Sequence, residues 1–80
     1  MSPIRTMRKS TEVSGIKHQM IAVIYDHQII AKRKHYHKDT GLQQQVWSIT
    51  DPEAVTEIRG LFLEGSDDEA WNCINNKQGD

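Results

Sequence analysis

Apolar residues fall in three strand-like stretches and then in two stretches with a helical period. Residues 17–25 alternate with Ile21, Val23 and Tyr25 on one side and Met20, Ala22 and Ile24 on the other. Both sides are apolar, which predicts a central strand. Asp26-His27 then interrupts two apolar runs and reads as a short hairpin turn. A second strand over 28–37 puts Ile29, Ala31, Arg33, His35 and His37 on one face. Ile30, Lys32, Lys34, Tyr36 and Lys38 take the other. Neither face stays apolar, so the far end of this strand must project beyond a core. Lys38-Asp39-Thr40-Gly41 is a turn, with glycine supplying positive φ. Residues 42–49 make a third strand, and Gln43, Gln44 and Gln45 suggest a sheet edge.

The period changes after Thr50. Thr50-Asp51-Pro52-Glu53 fits a capping box with Thr50 as N-cap. Val55, Ile58, Leu61 and Phe62 recur at helical spacing, and Gly65 is a natural stop. Gly60 lies inside this helix and is expected to be kept for close packing against the sheet. Ser66-Asp67-Asp68-Glu69 reads as a second capping box, opening a helix over 67–76 with Ala70, Trp71, Cys73 and Ile74. The expected fold is α+β, in the order β-β-β-α-α. A small three-stranded antiparallel sheet is followed by two short helices packed on one face. Residues 1–16 lack a period and are expected to be a flexible basic arm. Residues 17–76 form the domain and 77–80 a disordered tail.

Composition narrows the class. Eighty residues make one domain, and a core of this size is thin. Cys73 is the one cysteine, so no internal disulfide can support it. A lone thiol suits a reducing compartment, and a cytoplasmic location is expected. No apolar run approaches the ~20 residues that span a bilayer, and residues 1–14 have no apolar segment of the secretory kind.

Little points to catalysis. Cys73 falls on an apolar helix stripe, where a thiol packs rather than reacts. The serines have no nucleophile-elbow context, and the carboxylates are explained by caps and solvated helix faces. No enzyme activity and no cofactor are expected. His35 and His37 form an H-x-H on one strand face and are the weak candidate for a metal site. Zinc wants three or four ligands around one point, and only these two are fixed together.

Charge is the more specific feature. The net charge is −1. Residues 1–38 hold eight cations against two carboxylates, or +6; residues 39–80 hold two cations against nine carboxylates, or −7. Lys32, Arg33, Lys34 and Lys38, with Tyr36 among them and Trp47 nearby, form a candidate basic contact. Its cations would hold phosphates and its aromatics would stack on bases. Glu53, Glu57, Glu64, Asp67 and Asp68 form a candidate acidic contact for a basic protein patch.

Strands followed by a helix opening Thr50-Asp51-Pro52-Glu53-Ala54 make residues 17–63 similar, in order and charge, to the arm-type DNA-binding domains of tyrosine integrases. That resemblance implies a basic three-stranded sheet on DNA. The whole chain also resembles in style the short accessory proteins of phages and mobile elements, many of which inhibit host complexes. The leading expectation is therefore a non-enzymatic, anti-defence type of inhibitor. It would bind a host nucleic-acid-handling protein complex through a charged surface. The alternative is direct DNA or RNA binding through the second strand and the arm. A thin core also makes a homodimer plausible, with Trp47 or the edge strand at the seam.

Overall fold

The computed structural model describes residues 2–77. Four strands, β1 (Arg5–Val13), β2 (Ile16–Ile24), β3 (Ile29–His37) and β4 (Gly41–Ile49), precede α1 (Pro52–Leu63) and α2 (Asp67–Asn76). The strands pair antiparallel in chain order, so β2 is internal and β4 is an edge, as the apolar pattern and the glutamines suggested. The α+β arrangement stands, but the three-stranded sheet is corrected to four strands.

The extra strand comes from the segment expected to be a flexible arm. β1 pairs along its whole length with β2, from Arg5 opposite Ile24 to Val13 opposite Ile16. The Ile4 N–H extends the ladder by donating to the Ile24 carbonyl at 2.7 Å. Ser14 and Gly15 both have positive φ, 53° and 78°, as a two-residue hairpin turn of the primed type requires. Met7 is the β1 hydrophobe that packs against the core. The pairing therefore rests mainly on backbone hydrogen bonds, which leave no apolar period in the sequence. Of the expected tail, Lys77 caps α2, and 78–80 lie outside the described residues.

Burial is one-sided. Ile24, Ile29 and Ile49 stand side by side across β2, β3 and β4, and all three are buried. Each contributes about 1.5–3 kcal/mol through burial. In the next row Ala22 and Ala31 are buried, and their small side chains admit the helices closely. Ala54, Val55, Ile58 and Phe62 from α1, with Ala70, Trp71 and Ile74 from α2, close over this face. Phe62 and Trp71 meet edge to face at 5.4 Å. Trp47 continues the alanine row; it is half-buried, and its Nε1–H donates to the Ile74 carbonyl of α2 at 3.1 Å.

The helix ends differ in detail from the sequence reading. The N-cap of α1 is Asp51, not Thr50: its Oδ2 accepts from the Ala54 N–H at 3.2 Å, with Pro52 starting the helix. The α1 stop is as expected. Gly65 has φ 87°, Ser66 N–H donates to the Leu61 carbonyl, and Gly65 N–H to the Phe62 carbonyl. This pair of bonds is the Schellman arrangement. Ser66 precedes α2 but makes no side-chain cap, so the second capping box is corrected. Asp67, Asp68 and Glu69 still place negative charge at the favourable end of the α2 dipole. Close packing does not explain Gly60, which is exposed; a Cβ placed there meets no atom within 4 Å. Among the described residues no helix is long and apolar enough to cross a membrane.

Two stability predictions follow from this packing. Gly60→Ala should raise stability by about 0.5–1 kcal/mol, because it removes backbone entropy from the unfolded chain without a clash. That is a rise of several degrees in a thermal melt, and an unchanged or lower midpoint would contradict open space at this site. Trp47→Phe should lower stability in urea by about 1 kcal/mol, through loss of the bond to α2. A wild-type midpoint would show that the bond contributes nothing.

Candidate functional site

The helices cover one face of the sheet, so the other is open. Register assigns its side chains, because partners in an antiparallel ladder share a face and neighbours along a strand alternate. Arg8, Ile21, Lys32 and Val46 form one row across the four strands. Thr6, Val23, Ile30 and Ser48 form the row beside it. Ser10, Gln19, Lys34 and Gln44 form the row on the other side. Toward the hairpin tips lie Glu12 opposite Lys17 and Tyr36 opposite Leu42.

This face carries Arg8, Lys17, Lys32 and Lys34 against Glu12. Arg8 and Lys17 are exposed, and Lys32 and Lys34 half-buried among their neighbours. Tyr36, Leu42 and Val46 are more than half exposed, at 59%, 63% and 55%. Ile21, Val23 and Ile30 are half-buried with no helix above them. Cations among exposed apolar groups can hold phosphates while bases or aliphatic groups rest between them. A hollow of about 280 Å³ at the β1–β2 end is bounded by Ser10, Thr11, Glu12, Lys17, His18 and Gln19.

The structure splits the basic segment. Lys32, Lys34 and Tyr36 belong to the open face, as alternation indicated. Arg33 lies on the helix side, donating from Nη2 to Gln45 Oε1 at 2.8 Å and resting 5.9 Å from the centre of the Trp47 ring. Lys38 sits in the exposed β3–β4 turn. Trp47 lies on the helix side, opposite Ala31 and half-buried, with its Nε1–H bonded to α2, so it does not share the face of Lys32, Lys34 and Tyr36. Arg8 and Lys17 were missed as partners of Lys32. Lys17 shares the alternation of Ile21 and Val23 in the expected strand, whereas Arg8, beside Lys9 in a segment without an apolar period, takes its place on this face only once β1 is a strand.

His35 and His37 share the helix-side face beyond the helices. His18 stacks on His35 at 5.6 Å, and His35 meets His37 edge-on at 6.2 Å. His35 Nε2–H donates to Gln43 Oε1 at 2.8 Å, which occupies that nitrogen. Among the described residues no three His, Cys, Asp or Glu side chains are grouped to hold a metal ion. Cys73 is a half-buried free thiol packed against the core.

The acidic residues lie in the other layer. Glu53, Glu57, Glu64, Asp67 and Asp68 are all exposed on the helices or their junction. Asp68 pairs with Lys9 Nζ at 3.3 Å, a surface contact worth at most about 1 kcal/mol. The helix-free face thus carries four cations against Glu12, and the helix layer carries most of the carboxylates, with Arg59 and Lys77 among them. Comparison with protein families, with curated proteins and with solved structures finds no match.

Proposed function

We propose that this protein is a non-enzymatic nucleic-acid-binding module that works through the open face of its sheet. One observation carries the reading. Arg8, Lys17, Lys32 and Lys34 stand together on a surface left bare by the helices, with Glu12 as its carboxylate. The remaining side chains of the face are neutral, so its field suits a polyanion. The carboxylates of the helix layer face away and would not meet the phosphates. A cytoplasmic location accompanies this reading, supported by a free Cys73.

The exposed carboxylates support a second reading. Glu53, Glu57, Glu64, Asp67 and Asp68 would present a phosphate-like surface to a basic patch on a nucleic-acid-handling protein complex, as an inhibitor of the phage accessory type would. Charge reversal at Glu57 and Glu64 separates the two, since it would weaken capture of such a complex and leave oligonucleotide binding intact.

Fluorescence anisotropy with a labelled oligonucleotide tests the main reading. Affinity should fall steeply with salt, and neutralising one lysine (Lys32→Gln or Lys34→Gln) should reduce the salt slope by about 1. Charge reversal at both should abolish binding while circular dichroism stays unchanged. Binding that persists in the reversed variant would remove this face from the reading.

A further inference from the structure

The open face is four strands wide, and its width and make-up select among nucleic acids. From β1 to β4 there are three inter-strand steps, about 14 Å between outer strand axes before side chains are added. A duplex major groove is about 12 Å wide and admits a helix or a two-stranded ribbon. A sheet of this width presents a surface rather than an insert. Its middle is also unsuited to a phosphate wall. Ile21 and Val46 flank Lys32 in one row, and Val23 and Ile30 stand beside each other in the next. Phosphates laid over those side chains would lose hydration without gaining a partner. An unpaired strand is different: its bases have apolar faces to bury, and its backbone phosphates fall at intervals between them.

We infer that the ligand of the open face is single-stranded nucleic acid, with bases lying on the apolar side chains and Tyr36, and phosphates held by Arg8, Lys17, Lys32 and Lys34. This deepens the proposed function and rests on it. Lys32 and Lys34 are two residues apart on β3, about 6.7 Å, and Arg8 stands two strands from Lys32, about 9.6 Å. Cations at such intervals follow a strand crossing the sheet obliquely. Tyr36 is 59% exposed on the same face, beside Leu42, and its ring is free to stack. Gln19 and Gln44 flank Lys34 in register and offer amide donors and acceptors to base edges.

The experiment compares one mixed sequence as single-stranded DNA, single-stranded RNA and duplex DNA, by anisotropy at one salt concentration. Either single strand should bind at least about tenfold tighter than the duplex, and the better of the two identifies the sugar. Tyr36→Ala should weaken single-strand binding about tenfold, and Tyr36→Phe should restore it. The Tyr36 side chain is exposed, so circular dichroism should match the wild type. Equal or tighter duplex binding, or a Tyr36→Ala variant of undiminished affinity, overturns the inference and leaves the proposed function standing. Absence of binding to all three overturns both.

Discussion

Two helices of twelve and ten residues cannot cover both faces of a sheet with four nine-residue strands. The apolar supply of this chain is enough for one contact layer, and it is spent where Ile24, Ile29 and Ile49 line up across three strands. Alanines in the adjacent row let α1 and α2 approach, and Trp47 ties the sheet to the last turn of α2. A nine-residue strand runs about 30 Å, whereas α2 spans about 15 Å, so the hairpin ends also pass beyond the helices. Everything else about the molecular surface depends on that one-sided cover.

Its first consequence is separation of charge. Most residues that cap or solvate the helices and carry charge are acidic, whereas the bare sheet face holds Arg8, Lys17, Lys32 and Lys34 against Glu12. The near-neutral total conceals this arrangement. Its second consequence is that apolar groups such as Ile21, Val23 and Ile30 remain partly open between cations. Lysines on the face also discourage stacking of sheet on sheet, since like charges would be brought together. A face that combines cations with unburied aliphatic groups suits a ligand that is itself both anionic and apolar.

Much of this was legible from the residues alone. Helical spacing located Val55, Ile58 and Phe62 on the buried stripe, and Gly41 and Gly65 marked a turn and a stop whose positive φ the structure confirms. Alternation also separated Arg33 from Lys32 and Lys34. It could not say which side the helices would take, because Ile21, Val23 and Ile30 are as apolar as Ala22, Ile24 and Ile29. Nor could it reveal β1. An edge strand held by backbone bonds, with Met7 as its core hydrophobe, looks like an arm until its hairpin turn is recognised at Ser14-Gly15. The Trp47 contact was hidden for a related reason: its N–H is satisfied by the Ile74 carbonyl of a helix far along the chain, which no local pattern indicates.

The central claim is that the helix-free face is the binding surface. Titration of the isotopically labelled protein with a single-stranded oligonucleotide, followed by amide chemical shifts, tests it residue by residue. The account predicts the largest changes in β2 and β3 around Lys17, Lys32, Lys34 and Tyr36, with Arg8 in β1 moving with them and α1 and α2 silent. Changes concentrated on Glu53, Glu57, Glu64 and the start of α2, with the sheet face unmoved, would contradict it.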